Sequence, residues 1–480
     1  MAYDYDMIVI GGGAAGLVAA GMSALLGAKT AIIEEHKLGG DCTWAGCIPS
    51  KTLLRAAKAA HEMRTAGRFG LIPAAPDVPF SLVMERVRTV RQHVYEDADA
   101  PPNMEKLGVE VIVASARFID PHTVEIRGRS GEGRRVTSRY FVIATGSRPK
   151  APDFAVPCLS NETLFELTSQ PKRLLVIGGG PVGTEMAQAF QRLGSSVTVV
   201  APGGHILPRD DPEQAAILQQ RLAGEGVSCI LGRKVEALDR DADGLIAKVD
   251  DGRLVRCDAA LAAIGRQPNV TNLGLENAGV IVGKKGVEVD NHCRTSQKHI
   301  YACGDVTGRY QFTHMAEHMS KTAVTNAILR WPAKLDDKHV VWCTFTEPEL
   351  ARLGESEEDL RKRQAKCSVY RFPFTKLDRA ITEGETTGEV KVFADSSGRI
   401  LGASILGVNA GEMIAGYALA MRNGLRLAQI SGTIHPYPTY VLGNRRAADQ
   451  WYTKQLDSPL LGLLGRVFGY RGQRKGSAAL

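Results

Sequence analysis

An α/β fold built on two Rossmann-like units, with a separate α+β domain towards the C-terminus, is the architecture this 480-residue sequence predicts. Three observations carry the prediction. A pattern of apolar strand, glycine-rich turn, helix and second strand occurs near the N-terminus and again near residue 174. Both turns space their glycines as G-x-G-x-x-G, and each copy closes within about thirty residues, the context that lifts this motif above chance. From about Val340 the pattern shifts to alternating strands followed by helices.

The first copy runs Met7-Ile8-Val9-Ile10, Gly11-Gly12-Gly13-Ala14-Ala15-Gly16, an Ala-rich helix, and Thr30-Ala31-Ile32-Ile33 ending at Glu34. In such a dinucleotide-binding turn Gly11 makes the tight bend, Gly13 lets a pyrophosphate approach the backbone, and Gly16 lets helix pack on strand. The helix N-terminus then turns its partial positive charge to the phosphates. Glu34, about twenty residues on, stands where a carboxylate hydrogen-bonds a ribose 2′-hydroxyl. Residues 51–106 read as helical and 109–142 as strand-rich, with Phe141-Val142-Ile143-Ala144 closed by Thr145-Gly146. In the second copy Leu174-Leu175-Val176-Ile177 leads into Gly178, Gly180 and Gly183, and Val197-Thr198-Val199-Val200 returns. Ala201-Pro202-Gly203-Gly204 follows without a carboxylate, and the nearest cations, His205 and Arg209, lie several residues further. A 2′-phosphate is not repelled there, so this site leans to NADPH over NADH. The expected boundaries are 1–152 and 273–335 for the first domain in two parts, 153–272 for the second, 336–450 for the α+β domain and 451–480 for a tail.

Apolar residues make up 44% and charged residues 23% of the chain, the balance of a globular protein rather than a disordered or membrane-spanning one. A net charge of +7 suits anionic cofactors without being a nucleic-acid signature. Asp4 and Asp6 precede the first strand where a signal peptide would carry basic residues, so secretion is not expected. Nine cysteines, an odd and mostly scattered set, argue against an extracellular disulfide framework. The expected compartment is the cytoplasm.

Cys42 and Cys47 break from the scatter. They lie in Gly39-Gly40-Asp41-Cys42-Thr43-Trp44-Ala45-Gly46-Cys47-Ile48-Pro49-Ser50-Lys51, soon after the first glycine turn. If they bond to each other, regular helix is excluded. Five residues rise by about 7.5 Å along a helix, beyond the roughly 4.4–6.8 Å between the Cα atoms of a disulfide. Gly46 and Pro49 are residue types that permit the necessary distortion. A locally closed pair reads as a redox couple rather than a staple; the alternative is two unpaired cysteines at a helix start. The other seven read as reduced, semi-buried thiols.

Together these motifs resemble the flavin-dependent pyridine nucleotide–disulfide oxidoreductases, the group of dihydrolipoamide dehydrogenase, glutathione reductase and mercuric reductase. The resemblance spans roughly residues 5–450. Besides the glycine turns and the cysteine segment it rests on Thr145-Gly146, Glu185, Gly265-Arg266-Gln267-Pro268-Asn269, Ala302-Cys303-Gly304-Asp305 and Thr344-Phe345-Thr346-Glu347-Pro348-Glu349. It implies a homodimer with FAD on the first turn, Glu34 at the adenosine ribose, Asp305 at the ribityl and pyrophosphate region, and the backbone of Ala114 and Ala316 lining the site. Thr145, Gly146 and Gly265 join the cofactor-binding positions, and NAD(P)H takes the second turn. Lys51 resembles the lysine beside the flavin N5, and Glu185 the glutamate that pairs with it near the nicotinamide. By the same resemblance Cys47 is the charge-transfer thiolate nearer the flavin, and Cys42 the interchange thiol that meets the acceptor.

One departure bears on the acceptor. Disulfide-reducing members carry His-Pro-Thr in the last domain, with a glutamate three residues beyond the threonine. Here the segment is His435-Pro436-Tyr437-Pro438-Thr439-Tyr440-Val441-Leu442, which puts Tyr437 in the histidine position and Leu442 in the glutamate position. Tyrosine, with a pKa near ~10 against ~6.5 for histidine, is a poor proton shuttle at neutral pH. Mercuric reductases also carry tyrosine there, and a soft metal ion needs thiolate ligands rather than a proton for a leaving thiol. The expected acceptor is therefore a soft metal ion such as Hg(II). A dihydrolipoamide dehydrogenase-like disulfide reductase and a weakly catalytic, membrane-surface redox-sensing flavoprotein are the alternatives. Unlike mercuric reductases, the sequence shows no cysteine pair in Gly472-Gln473-Arg474-Lys475-Gly476-Ser477-Ala478-Ala479-Leu480 and nothing resembling their N-terminal metal-binding domain. His435 matches a different histidine of dihydrolipoamide dehydrogenases. No resident metal is expected: His314 and His318 have a zinc-like spacing but no third ligand, and read as structural. In the tail, Leu456, Leu460, Leu461, Leu464, Val467 and Phe468 sit among Arg466, Arg471, Arg474 and Lys475. This reads first as a terminal helix packed on its own or a partner subunit, and second as a basic amphipathic helix on an anionic membrane.

Overall fold

The computed structural model describes residues 3–128, 131–456, 458–470 and 472. Two compact units emerge: Met1–Ala66, Ile72–Pro202 and Ser228–Asp336 form one, and Gly67–Leu71, Gly203–Val227 and Asp337–Leu480 the other.

The first unit opens with β1 (Tyr5–Ile10), α1 (Ala14–Leu25) and β2 (Thr30–Glu34), followed by α2 (Gly40–Trp44), α3 (Cys47–Thr65), α4 (Phe80–Val94) and α5 (Pro101–Lys106). Strands β3 (Val109–Val113), β4 (Ser115–Asp120), β5 (Thr123–Arg127) and β6 (Gly133–Ile143) come next. The sheet order is β3-β2-β1-β6-β5-β4, parallel as far as β6 and antiparallel beyond it. Met7, Ile8 and Val9 are fully buried, because a parallel sheet is covered on both faces and its strands run apolar without alternation. The stretch expected as helix from 51 to 106 is interrupted: residues 72–79 hold no regular structure. Pro73, Pro76 and Pro79 remove backbone donors and push their preceding residues towards extended conformations.

The chain continues through β7 (Ser147–Pro149), α6 (Asn161–Leu164), β8 (Arg173–Ile177), α7 (Pro181–Leu193), β9 (Ser196–Ala201), α8 (Pro212–Gly224), which belongs to the other unit, and β10 (Ser228–Leu231). A three-stranded antiparallel sheet follows, formed by β11 (Val235–Asp241), β12 (Gly244–Val249) and β13 (Leu254–Cys257). Then come β14 (Ala259–Ala262), β15 (Arg266–Pro268), the short β16 (Val282–Gly283) and β17 (Gly286–Val287), β18 (Ile300–Ala302) and α9 (Thr313–Ala327). The parallel order β10-β9-β8-β14 makes a second βαβ sheet, β15 pairs β7, and β18 returns to pair with β6 of the first sheet. The first sheet is thus completed by chain from either side of the second.

In the other unit β19 (Val341–Thr344), β20 (Glu349–Gly354), α10 (Glu357–Lys362), β21 (Ser368–Pro373), α11 (Asp378–Thr382), β22 (Glu389–Ala394) and β23 (Ile400–Gly407) lead to α12 (Ala410–Arg422), α13 (Leu427–Gly432), α14 (Leu442–Gln455) and α15 (Pro459–Val467). The antiparallel sheet β19-β20-β23-β22-β21 packs its apolar face, with Val390, Val392 and Ile405 fully buried, against Tyr417 of α12 and Ala447 of α14. Lys391, in the middle of β22, is 1% exposed, and its Nζ lies 2.6 Å from Asp211, 2.9 Å from Glu357 and 3.1 Å from Glu213. Asp211 also caps α8, accepting from the N–H groups of Glu213 and Gln214. Sequence continuity assigned 203–227 to the second nucleotide-binding domain, whereas in the folded chain it packs with the sheet that carries Lys391.

Candidate redox and nucleotide sites

The cysteine segment is tied to the first glycine turn. Gly39 donates its N–H to Gly12 O at 2.8 Å. A Cβ on Gly40 would lie 2.6 Å from Gly13 Cα, so the two backbones meet in contact that admits no side chain. The short α2 carries Cys42 and ends at Ala45; Gly46 (φ −118°, ψ −110°) breaks the helix, and α3 begins at Cys47. A Cβ on Gly46 would sit 2.9 Å from Asp41 O. Pro49 falls in the first turn of α3, where a missing N–H costs no helical hydrogen bond. The distortion anticipated for a bridging pair is therefore present, located at Gly46 rather than at the proline.

The two sulfurs are not joined in a disulfide; both are partly buried and hydrogen-bonded to each other. Their environments pull them apart. The hydrogen bond from Cys42 is the largest influence lowering Cys47, followed by the Thr313 hydroxyl, 3.5 Å from its sulfur, and by the charge of Lys51; against burial and Asp41, these hold the Cys47 pKa down to about 6. As the first residue of a 19-residue helix, Cys47 also faces that helix's positive end. Cys42 moves the opposite way, raised by its hydrogen bond to Cys47, by burial and by the neighbouring negative charge. The arrangement is one thiolate and one thiol.

Lys51 lies one turn beyond Cys47 on the same face of α3, and its Nζ meets Glu185 Oε2 of α7 at 2.9 Å. The Glu185 side chain is 6% exposed and that of Lys51 38%. One helix thus presents both the low-pKa sulfur and an ammonium held by a buried carboxylate.

At the carboxyl ends of β1, β2 and β3, Gly11 (φ +106°) turns so tightly that a Cβ would lie 2.3 Å from Ala144 O, and one on Gly16 would lie 1.8 Å from Gly11 O. Gly13 caps α1 without a side chain, and the first turn of α1 holds no acid. Glu34 Oε2 accepts the Gly12 N–H at 2.6 Å, and Ala114 donates its N–H to Glu34 O at 2.9 Å. Asp305 follows β18; burial raises its pKa, while Ser147 donates to it at 2.6 Å and Arg266 lies 3.5 Å away. Ala316 on α9 packs against Gly304, where an added Cβ would approach it to 3.2 Å. Thr145 and Gly146 bond to Asn269: the Thr145 hydroxyl donates to Asn269 O at 2.7 Å, and Asn269 N–H to Gly146 O at 3.0 Å. Gly265 lies on the exposed turn before β15 and accepts the Lys150 N–H.

The second turn repeats this geometry. Gly178 packs against Ala263 O and Gly183 against Gly178 O, while Gly180 opens α7 with no atom within 4 Å of where a Cβ would sit. No acid stands in the first turn of α7. Beyond β9 the Arg233 N–H donates to Ala201 O at 3.1 Å, a basic residue at this edge that sequence spacing did not indicate.

Tyr437 belongs to the other unit, on a loop where it is 70% exposed. His435 there is exposed, its Nδ1 held 2.9 Å from Thr433 O. His314 stacks on Phe312, and His318 Nε2 accepts the Asp336 N–H at 3.3 Å. Among the described residues no group of three His, Cys, Asp or Glu side chains is placed to hold a metal ion.

Residues 5–320 match the pyridine nucleotide-disulphide oxidoreductase family, and residues 340–445 its dimerisation domain. The chain belongs to this family. It is 33% identical over 459 residues to dihydrolipoyl dehydrogenase of Bacillus subtilis (strain 168), covering 92% of this chain and 96% of that one. To the mercuric reductase of Bacillus cereus it is 33% identical over 458 residues, covering 93% of this chain and 71% of the relative. Among solved structures it is similar to the Cu(II) complex of the HOCl-induced flavoprotein disulfide reductase RclA from Escherichia coli, with a TM-score of 0.83 and 29% identity over 94% of this chain and 99% of that one.

This pyridine nucleotide-disulphide oxidoreductase is an enzyme that uses FAD and a pyridine nucleotide, built from two dinucleotide-binding domains and a dimerisation domain. The first glycine turn suits FAD on its own geometry: a bare helix N-terminus, a glycine cradle that side chains would fill, and a carboxylate at the end of β2. Sequence reasoning passed over Thr313, Ser147 and Asn161, and gave Arg266 a place in a motif but no partner. Thr313 reaches Cys47 from α9. Arg266 pairs with Asp41 at 3.2 Å and with Asp305, and Ser147 and Asn161 bond to Arg266 or Asp41. Thr313 lies 266 residues from Cys47, Asn161 120 from Asp41 and Ser147 119 from Arg266, and no local spacing marks them.

Proposed function

We propose that this chain is a homodimeric, cytoplasmic NAD(P)H-dependent flavoprotein reductase that works through a Cys42–Cys47 redox pair and delivers electrons to a soft metal ion such as Hg(II). The observation that carries the choice of acceptor is Tyr437, a phenol where disulfide reductases of this family use an imidazole. The other acceptors considered are a dihydrolipoamide-type disulfide and a redox-sensing role with little turnover. Support also comes from the relatives: one is a mercuric reductase and another was solved with Cu(II).

In this reading Gly11, Gly13, Gly16, Glu34, Ala114, Thr145, Gly146, Asp305 and Ala316 hold FAD, and Gly178, Gly180, Gly183 and Gly265 hold the nicotinamide nucleotide. Bound FAD supplies the two-electron relay between nicotinamide and disulfide. Lys51, fixed by Glu185, holds a positive charge beside the reacting groups. Cys47 stays ionised near neutral pH, so its sulfur needs no base to become a nucleophile or a metal ligand. Cys42 keeps its proton until the acceptor engages it. With Hg(II) each cycle consumes one NAD(P)H and releases NAD(P)+, one proton and Hg(0); no leaving thiol has to be protonated, so no imidazole is required.

Side-by-side turnover of NADPH with Hg(II), lipoamide and glutathione disulfide tests the assignment. The expected order places Hg(II) at least about tenfold above either disulfide; rapid lipoamide turnover would overturn it. Tyr437→His should then raise lipoamide reduction by about tenfold or more, within the ~10²–10⁴ that a positioned general acid–base contributes. An unchanged lipoamide rate in that variant would trace the exclusion of disulfides to pocket shape instead.

We also propose that NADPH is the preferred reductant, since Ala201 and Pro202 offer no carboxylate to repel a 2′-phosphate. Pro202→Glu is expected to raise the KM for NADPH by about tenfold, corresponding to ~1.4 kcal/mol of repulsion, and to leave that for NADH nearly unchanged. Equal effects on the two KM values would remove the site from the 2′ position.

A further inference from the structure

We propose that Asp41 is a positioning residue for the sulfur pair: clamped by Asn161 and Arg266, its carboxylate fixes the turn that carries Cys42 so that the two sulfurs stay within reach of each other. This role presupposes that Cys42 and Cys47 are the redox couple, and it falls to residues that the proposed reaction does not otherwise use. The helix α2 has five residues, and so short a helix gains little from its own hydrogen bonds. Contacts from outside must therefore set its place. Asp41 Oδ1 accepts from Asn161 Nδ2 at 2.8 Å and lies 3.2 Å from a guanidinium nitrogen of Arg266. The same Asn161 Nδ2, which carries two hydrogens, donates to Ala45 O at 3.1 Å. The Ala45 N–H closes back on Asp41 O at 2.8 Å. One amide thus ties together both ends of the turn that holds Cys42. The two residues between are secured separately, Thr43 by Asp99 at 2.6 Å and Trp44 O by Arg91 at 2.9 Å.

The clamp is itself held from behind. Arg266, on β15, donates from Nε to Ser147 Oγ at 2.7 Å and from Nη2 to Ser147 O at 2.9 Å, and its Nε lies 3.5 Å from Asp305. An ion pair between two free surface side chains contributes little. Here the Arg266 side chain is 20% exposed and that of Asp41 38%, and a guanidinium fork already engaged on Ser147 loses little further freedom in gripping a carboxylate. Charge alone does not account for an acid at this position. The Cys42 hydrogen bond lowers the Cys47 pKa most, and the Asp41 charge, like burial, works against it. A residue placed for its field would carry the opposite sign, so what Asp41 contributes is its hydrogen bonds. Two sulfurs exchange a bond only at contact distance, and a small displacement of one of them is costly.

Equilibration of the full-length flavoprotein with dithiothreitol redox buffers at pH 7 tests this, with the Cys42–Cys47 disulfide counted by alkylation and mass spectrometry. The equilibrium constant measures the effective concentration of one sulfur at the other. Asn161→Ala removes no charge; it should lower that constant by about tenfold and leave the alkylation midpoint of Cys47 at about 6. Asp41→Ala should lower the constant equally and also move the midpoint downward, since it removes the opposing charge. Asp41→Ala/Asn161→Ala should fall no further than either alone, because the two side chains form one clamp. Unchanged circular dichroism of the three variants shows that they fold. A constant unaltered by Asn161→Ala, or a change confined to Asp41→Ala that follows its midpoint, overturns the positioning role. Additive losses in the double variant overturn the shared clamp. Absence of a Cys42–Cys47 disulfide from the unmodified protein under every buffer overturns the redox couple itself, an outcome read without any variant.

Discussion

Cys42→Ser and Cys47→Ser are each expected to lower acceptor reduction by about a thousandfold or more, while both proteins stay yellow and still pass electrons from NADPH to an artificial dye. In the proposed reaction the loss is large because the two sulfurs act as a unit: removing either one would remove the exchangeable disulfide, and such paired groups are strongly non-additive. The two positions should nonetheless differ in a way that reveals their roles. The hydrogen bond from Cys42 is the first cause of the depressed Cys47 pKa. Cys42→Ala, which removes that donor, should move the pH midpoint of iodoacetamide alkylation at Cys47 upward from about 6. Cys42→Ser keeps a hydroxyl donor and should move it less. At pH 7 the thiolate fraction of Cys47, and with it the alkylation rate, should therefore fall in the alanine variant. An unshifted midpoint would mean that Thr313, Lys51 and the helix terminus maintain the thiolate without Cys42. Sustained metal or disulfide reduction in Cys42→Ser would remove the pair from the reaction altogether.

Lys391→Met should cost about 3–5 kcal/mol, the range for breaking a buried ion pair by removing one partner. Lys391 is 1% exposed and faces Asp211, whose side chain is 5% exposed and caps α8; without the ammonium that carboxylate is stranded in the interior. Burial pulls the Lys391 pKa down, but hydrogen bonds to Asp211, Glu357 and Glu213 outweigh it and hold the pKa above the ordinary lysine value. A raised lysine contributes its full stabilisation below the unfolded value near ~10.4 and loses it only as pH rises through the folded one. Unfolding at pH 7 therefore reads the whole effect, a drop of roughly 10 °C in the midpoint of this unit. Glu213→Gln is the contrast: its side chain is 57% exposed, and its loss should cost less than about 1 kcal/mol. Calorimetry of both variants decides, since equal shifts would place the stability in α8 packing rather than in the buried charge.

The two glycine turns were legible because each depends on neighbours in the chain. Gly16 sits against Gly11 O and Gly183 against Gly178 O, each five residues back and too close for any other residue type, so the requirement is written into local spacing. The cysteine segment was legible for a similar reason: the helix has to break between Cys42 and Cys47, and Gly46 supplies the break. Helix between 65 and 80 was over-read, because apolar and charged residues continue the helical pattern on either side while three prolines override it. Residues 203–227 group with the unit that carries Lys391. Sequence order continues the βαβ pattern there, but Asp211 and Glu213 pair with Lys391, 180 residues beyond Asp211.

Residue spacing alone dictated the two glycine turns and the helix break between Cys42 and Cys47, since each is a short-range demand on backbone shape; the phenol of Tyr437 in place of an imidazole was read from the resemblance to the family. Which sulfur carries the negative charge was decided only on folding, when Thr313 from α9 and Lys51 from α3 met Cys47 beside a protonated Cys42. The buried charge cluster around Lys391 was likewise set by packing. Electrostatic fields and solvent exposure depend on atoms brought together from distant parts of the chain, and no local pattern encodes them.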